Sequence, residues 1–312
     1  MRRGSVLFLP LTWLAFSTAS AQTCTFSLAN ADFGNVDVLV PGAIDAVAQG
    51  TFSCTGASTP YVRACVSAGS GRYMTGPASA KLSYDMYIDA ARTRPWGSLW
   101  EASAANVLTA DIPIASGSGS ATVPVYLRIF DGQAQSPVGS YSQGFLGAGY
   151  TGYNAVGYST TPPTCTTSSG PQTAPSFTIR ATVIAGCSVS ATSIDFGQMG
   201  VIAAPINATG VITATCTKGA IVTLALNAGT GSGATVASRR MTRAGGSELL
   251  TYMLYADSAR TQLWGDKSSG TTTVGLSGTG AAQTVTVYGT VPAQTTPKPG
   301  TYSDTVTVTV TF

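Results

Sequence analysis

The same sequence pattern occurs twice along the chain, and this internal repeat limits the fold more than any other feature. Each copy has a cysteine, a DFG element and a second cysteine: Cys24, 31–35 and Cys54 in the first, and Cys187, 194–198 and Cys216 in the second. Residues 83–98 return as 251–266, and residues 123–142 return more loosely as 285–303. A pattern that recurs at this spacing predicts two homologous domains in tandem.

The spacing of apolar residues favours β structure in both domains. No convincing helical period occurs, whereas residues 305–312 read TVTVTVTF and alternate strictly between polar and apolar side chains. Side chains two positions apart share one face of a strand, so Val306, Val308, Val310 and Phe312 are expected on a single apolar face. With only 9% charged residues and 36 glycines, the chain is predicted to form all-β sandwiches with many turns.

The first 21 residues have the features of a secretory signal. Arg2 and Arg3 precede an apolar run over residues 6–16, and the small residues 19–21 fit a cleavage site. The run is shorter than the roughly 20 apolar residues of a transmembrane helix, so an exported mature chain is expected to begin at Gln22. Loss of both arginines lowers the basic count from 16 to 14 against 13 acidic residues, which does not favour nucleic acid as a partner.

The six cysteines are expected to form disulfide bonds, because export places them in an oxidising environment. Many pairings are possible in principle. The repeat favours one bridge at the same place in each copy and leaves a third pair: Cys24 with Cys54, Cys187 with Cys216, and Cys65 with Cys165. A zinc site needs closely spaced cysteine or histidine ligands. The chain has neither a CxxC pair nor a histidine, so no metal is expected.

The absence of histidine also limits catalysis, because no Ser-His-Asp or Cys-His arrangement can form within the chain. Asp85 and Asp89 share a strand face but are expected to lie about 13 Å apart along it, beyond the roughly 5 to 9.5 Å of glycosidase carboxyl pairs. The GxGxxG pattern at 147–152 opens no helix and so does not fit a phosphate-binding loop. We therefore expect neither enzymatic activity nor a cofactor.

The repeated motifs resemble those of the spore coat protein U domain family. Besides the cysteine and DFG spacing, the resemblance is carried by YADSARTQLWG at 255–265 and PGTYSDTV at 299–306. It is close over residues 187–312 and looser over residues 22–160. That family includes the subunits of archaic, Csu-type chaperone–usher pili. The resemblance therefore implies two tandem immunoglobulin-like β-sandwiches, of which the second lacks its final strand.

The resemblance also implies the partners of the chain. In such pili a periplasmic chaperone fills the groove of an incomplete subunit, and at the outer-membrane usher the N-terminal arm of the next subunit replaces it. Only Gln22 and Thr23 precede Cys24, too short an arm to add a strand to a neighbour. The chain thus resembles a two-domain tip adhesin, exported through the periplasm to the cell surface. There it would bind an abiotic surface or a host receptor and promote biofilm formation.

The two copies end differently, which predicts how each domain is completed. The second copy ends at Phe312, ten residues after Tyr302, whereas the first continues for 46 residues from Tyr141 to Cys187. Among these additional residues, 176–184 alternate between polar and apolar side chains, so we expect them to complete the first domain. The second copy has no equivalent segment, so we expect its domain to stay open. The predicted divisions are a signal peptide at 1–21, a receptor-binding domain at 22–174, a linker with the completing strand at 175–186, and a pilin domain at 187–312. Four side chains are predicted to line the open groove: Val306, Val308, Val310 and Phe312.

The segment 145–158, rich in glycine and tyrosine, is the predicted binding surface, because it is uncharged and has no equivalent in the second copy. Tyrosine offers a large contact area with a polar tip. Including neighbouring loops of the first domain, the expected contact residues are Phe145, Leu146, Tyr150, Tyr153, Tyr158, Val40, Ile44 and Trp100. The alternative is that these aromatics fold back onto the sandwich. Trp96 and Trp264 occur in both copies and are interpreted as core residues.

A structural role in a spore coat or an extracellular matrix is the alternative function. A polymerising coat unit needs both a groove and a strand to fill a neighbour's groove. The short segment before Cys24 therefore favours the adhesin.

Overall fold

The computed structural model describes residues 22–29, 31–69, 71–97, 106–146, 151–165 and 175–312. In these ranges the chain forms β-strands, turns and short 3-10 helices such as Pro77–Ser79 and Ser268–Gly270. No helix there is long and apolar enough to cross a membrane. The all-β fold predicted from the alternation of apolar residues is confirmed.

The first domain contains eleven strands within the described residues: β1 (Thr23–Ala29), β2 (Asp32–Val36), β3 (Ile44–Thr55), β4 (Tyr61–Ala68), β5 (Tyr73–Thr75), β6 (Lys81–Tyr87), β7 (Leu108–Pro113), β8 (Ser118–Ile129), β9 (Gly139–Phe145), β10 (Thr151–Tyr158) and β11 (Phe177–Val183). One sheet has the order β1-β3-β8-β6-β5-β9-β11-β2, and a smaller one has the order β10-β4-β7. Only two residues separate β1 from β2, yet these strands lie at opposite edges of the larger sheet. This sheet therefore curls around the core.

The second domain contains nine strands within the described residues: β12 (Cys187–Ala191), β13 (Ile206–Cys216), β14 (Ile221–Leu226), β15 (Arg239–Arg243), β16 (Leu249–Tyr255), β17 (Val274–Ser277), β18 (Ala282–Val291), β19 (Tyr302–Ser303) and β20 (Val308–Thr311). A six-stranded sheet has the order β12-β13-β18-β16-β15-β19, and a three-stranded sheet has the order β17-β14-β20. Each domain thus pairs a larger sheet with a three-stranded one around its own apolar core.

The two cores are built around equivalent tryptophans. Trp96 and Trp264 are both fully buried. The indole N–H of Trp96 donates to the carbonyl of Val66 at 2.8 Å, and that of Trp264 donates to Leu224 at 3.0 Å. A buried indole that keeps its hydrogen bond contributes apolar area without leaving an unpaired donor. The interpretation of both residues as core is confirmed.

The three predicted disulfides are present. Cys24 and Cys54 are directly opposite each other on β1 and β3, and Cys187 and Cys216 are directly opposite on β12 and β13. Each of these bridges therefore ties the first strand of its domain to the next strand of the larger sheet. The third bridge joins Cys65 on β4 to Cys165.

The carboxylates considered for catalysis serve the fold instead. Asp85 forms an ion pair with Arg72. Asp89 accepts hydrogen bonds from the backbone N–H groups of Thr93 and Arg94 and so closes a turn. Each carboxylate is thus engaged by a separate local structure, and they do not form a pair.

Candidate functional site: an open groove in the second domain

Strand β11 fills the place between β9 and β2 in the first domain. It lies between β9, to which it is antiparallel, and β2, to which it is parallel. Its alternate side chains Phe177, Ile179, Ala181 and Val183 point into the core, with exposed fractions of 6%, 0%, 2% and 0%. The alternating strand predicted for residues 176–184 is therefore present, and it supplies an apolar face to its own sandwich.

One edge beside β11 has a matching edge in the second domain. The hydroxyl of Tyr141 donates to the carbonyl of Pro137 at 2.8 Å, and that of Tyr302 donates to Lys298 at 2.7 Å, four residues earlier in both cases. Because these contacts correspond, the segment that begins at Tyr302 is the counterpart of β9.

The edge on the other side of β11 is formed by β2, which contains the DFG element, and this element has a counterpart in the second domain. The N–H of Gly34 donates to Asp32 at 2.8 Å, and the N–H of Gly197 donates to Asp195 at 2.8 Å. Both glycines have positive φ, 67° and 73°, a conformation that glycine adopts without strain. The ring centroids of Phe196 and Tyr252 are 6.3 Å apart, close to the 6.2 Å between the equivalent rings of Phe33 and Tyr84 in the first domain.

A groove lies between these two edges in the second domain. Within the described residues, no strand occupies the place that β11 has in the first domain, and residues 195–199 belong to no strand. The groove has a volume of about 460 Å³. Apolar and aromatic side chains from both sheets line it, among them Ile194, Phe196, Met241, Tyr252 and Val306.

Two of the four predicted groove residues line it. Val306 and Val308 face the groove, whereas Val310 packs on the core opposite Leu224 of β14. Phe312 is 61% exposed and does not line the groove, so its assignment was wrong. The reason is that the pairing of β20 with β14 ends at Thr311, opposite Thr223, so Phe312 lies beyond the paired part of the strand.

A carboxylate lies among the apolar and hydroxyl side chains of this groove. Oδ1 of Asp304 accepts hydrogen bonds from the N–H and hydroxyl of Thr230 at 2.7 and 2.8 Å and from the N–H of Thr305 at 2.8 Å, and Oδ2 accepts from the hydroxyl of Tyr252 at 2.7 Å. Burial raises the pKa of Tyr252, and the hydrogen bond to the carboxylate raises it further. The Tyr252 phenol therefore stays protonated and keeps donating to Asp304. Sequence reasoning missed this residue, although it belongs to the quoted PGTYSDTV motif.

The predicted binding surface of the first domain needs correction. Phe145 is 1% exposed and stacks on Phe177 at 4.7 Å, because its place on β9 turns it toward β11. Tyr153 stacks on the core residue Phe52, and burial raises the pKa of its phenol. These two aromatics fold back onto the sandwich, as the alternative interpretation stated. Tyr150 and Trp100 lie outside the described residues.

The remaining predicted contacts do not form one surface. Val40 and Ile44 lie at the end of the first domain that leads to the linker, where Ile184 donates its N–H to Val36. Tyr158 lies at the opposite end, beside the β3–β4 connection. Leu146 is 68% exposed at the end of β9.

An aromatic pair at the end remote from the linker was not predicted. The rings of Tyr61 and Tyr158 stack with centroids 5.4 Å apart, and Tyr61 is 41% exposed. Beside them the guanidinium of Arg63 donates to both carboxylate oxygens of Asp111, at 2.8 and 2.6 Å. This ion pair holds the pKa of Asp111 below its usual range. The two tyrosines are distant in sequence and meet only through the pairing of β4 with β10.

The fold and the groove define a chain of two tandem immunoglobulin-like sandwiches, of which only the first holds a strand in this position within the described residues. The chain belongs to the Spore Coat Protein U domain family, whose profile matches residues 11–145 and 173–309. Among curated proteins, it is similar to Protein U of Myxococcus xanthus, with 41% identity over 108 residues. The matched region covers 33% of this chain and 59% of that protein.

Two solved structures align with most of the chain at low similarity. The CsuC–CsuE chaperone–tip adhesion subunit pre-assembly complex from archaic chaperone-usher Csu pili of Acinetobacter baumannii gives a TM-score of 0.47 at 18% identity, over 92% of this chain and 100% of that one. The CupB6 tip adhesin from Pseudomonas aeruginosa gives a TM-score of 0.32 at 10% identity, over 92% of this chain and 94% of that one. Similarity this low carries no argument for function.

Proposed function

We propose that the chain is the tip adhesin subunit of a chaperone–usher pilus, whose second domain is completed by a strand from a partner. The observation that carries this proposal is the groove between residues 195–199 and 302–306, because the equivalent place in the first domain is filled by β11. Membership of the Spore Coat Protein U domain family supports it. In this proposal the chain binds and does not catalyse.

The physical chemistry of the groove explains why a partner is needed. An unpaired strand edge beside apolar side chains leaves backbone N–H and C=O groups open to pairing, and it invites aggregation. We propose that a periplasmic chaperone occupies the groove first, and that the N-terminal arm of the next subunit replaces it at the outer-membrane usher. Both would add an extended strand to the exposed edge.

The first domain has a different role in this proposal, because β11 of the same chain already fills it. We propose that residues 22–174 form the receptor-binding domain, residues 175–186 its completing strand and linker, and residues 187–312 the pilin domain. A first domain that needs no partner strand is free for attachment. The chain would then lie at the pilus tip on the cell surface and promote attachment and biofilm formation.

Within the first domain, the Tyr61–Tyr158 pair is the surface that we assign to attachment. It combines exposed aromatic area with polar hydroxyls at the end remote from the linker. Replacement of both tyrosines by serine is expected to abolish adhesion of piliated cells to an abiotic surface or to host cells, with unchanged pilus number. Val40→Ser, an exposed change at the other end, is the matched control. Unchanged adhesion of the double variant would contradict the assignment.

The assembly proposal is tested by exporting the chain with and without a co-expressed pilus chaperone. The expected result is a one-to-one complex that releases the chaperone when a peptide from a pilus subunit's N-terminal arm is added. A stable monomer that binds neither the chaperone nor the peptide would contradict the open groove.

A structural role in a spore coat or an extracellular matrix is the second candidate, and the description of the family favours it. In that role the chain would form polymers on its own. Size-exclusion chromatography of the exported chain distinguishes the two, since the adhesin requires a chaperone complex and the coat unit self-assembles.

A further inference from the structure

The chain holds an open groove together with a strand of the right kind to fill it. Strand β11 presents Phe177, Ile179, Ala181 and Val183 to a groove built from the same elements as that of the second domain. A second copy of the chain could therefore insert its β11 into this groove, which is the usual route to domain swapping. The groove of the second domain must therefore discriminate between β11 and the partner strand.

The two grooves differ at the position opposite Ile179. In the first domain Ile179 is directly opposite Gln143, whose amide oxygen accepts the hydroxyl of Tyr84 at 2.8 Å. Counting from the equivalent tyrosines Tyr141 and Tyr302, the matching residue of the second domain is Asp304. Its carboxylate accepts the hydroxyl of Tyr252, the equivalent of Tyr84, in the same way. A neutral amide in one groove is thus replaced by a charged group in the other.

The charge of Asp304 is not neutralised by a close cation. Among the described residues, no lysine or arginine lies within ion-pair distance of its carboxylate. The charge of the buried Arg239 acts on Asp304 from beyond ion-pair distance, while its guanidinium donates to four backbone carbonyls: Asn227, Val236, Leu226 and Trp264. A strand that covers Asp304 therefore removes water from a carboxylate that has no ion-pair partner among the described residues. This is costly unless the strand brings a hydrogen-bond donor.

We propose that Asp304 determines which strand the second domain accepts: it selects a partner strand with a hydrogen-bond donor, such as threonine, opposite it, and it rejects the chain's own β11. Rejection of the wrong partner by an unsatisfied polar group is a general means of specificity. The donor side chain would meet Oδ2, which accepts one hydrogen bond, from Tyr252, whereas Oδ1 already accepts from Thr230 and Thr305. This inference rests on the proposed function, because it needs a groove that takes a strand.

The test measures binding of synthetic peptides to the full exported chain. The peptides carry residues 176–184 with isoleucine, valine or threonine at position 179. Valine and threonine have nearly the same shape, so their affinity ratio isolates the hydroxyl group. The proteins compared are the unaltered chain, Asp304→Gln, which copies Gln143 of the first domain, and Asp266→Asn, which removes a carboxylate that does not line the groove.

With the unaltered chain and with Asp266→Asn, the Ile179→Thr peptide is expected to bind roughly tenfold more tightly than the Ile179→Val peptide, as for one hydrogen bond to a charged group. With Asp304→Gln this ratio is expected to fall toward one, and the peptide with isoleucine gains affinity. Equal binding of both peptides by the unaltered chain, or an unchanged ratio in Asp304→Gln, would overturn the assignment. If no peptide binds any of the proteins, the specificity inference fails, and the experiment with the chaperone and the arm peptide decides separately whether the groove is open.

Discussion

Truncation of one side chain on β11 tests whether this strand is an integral part of the first domain. Phe177 is 6% exposed and stacks on Trp96 at 5.7 Å and on Phe145 at 4.7 Å, with Phe26 edge-on at 6.4 Å. Phe177→Ala therefore removes a ring from the centre of an aromatic cluster. Buried Phe→Ala changes typically cost 3–5 kcal/mol, so we expect a loss of about 4 kcal/mol in the free energy of unfolding of the first domain.

The assay is a urea titration read by pulsed hydrogen exchange, because peptides from β8 and β13 report the two domains separately. With a urea dependence of about 2 kcal/mol per molar, the midpoint of the first domain is expected to fall by about 2 M. The midpoint of the second domain should not change. Leu146→Ala is the control, since this nearby side chain is 68% exposed and its loss should cost less than about 0.5 kcal/mol. A fall of less than about 0.5 M in Phe177→Ala would refute the packing argument.

Three further variants test other parts of the fold. The ion pairs of Glu248 lower its pKa from 4.5 to about 2, so their stabilisation is complete above pH 4.5 and is lost as the pH falls through about 2. The melting temperature of the second domain should fall over that range, and less so in Glu248→Gln; equal acid sensitivity would contradict the assignment. Joint replacement of Cys65 and Cys165 by serine opens a link across 100 residues and should cost the first domain about 3 kcal/mol, whereas a loss below about 1 would contradict it. Arg239→Met removes the donor to four backbone carbonyls, three of them buried, and should destabilise the second domain by about 3 kcal/mol in urea unfolding. Arg240→Met is its control, because the half-buried Arg240 donates to one carbonyl, that of Ser232, and its replacement should cost less than about 1 kcal/mol, so similar losses would contradict the role of Arg239.

Local patterns were enough to predict the fold class and much of the architecture. The alternation in residues 176–184 predicts β11, because a strand with one buried face carries its apolar residues at every second position. The repeat predicts the two equivalent disulfides, since copies of one fold place corresponding cysteines opposite each other on the same pair of strands.

The candidate site could be predicted only in part, because it depends on contacts between distant segments. Phe145 lies beside glycines and resembles a loop residue, but pairing with β11 turns it inward. The stacking of Tyr61 on Tyr158 follows from the register of β4 with β10, which no local pattern contains. Phe312 continues an alternating run, yet it lies outside the groove because the pairing of β20 with β14 ends at Thr311. Alternation tells which residues share a face, and tertiary pairing decides what that face meets.

The position of β11 also determines how the molecule carries a mechanical load. Only residues 184–186 connect β11 to β12, so a pull between the two domains acts along the axis of β11. The hydrogen bonds to β9 and β2 run across that axis on both sides. Force therefore shears both ladders at once and does not peel their bonds one by one. On the other side of the linker, the Cys187–Cys216 bridge passes the tension covalently from β12 to β13.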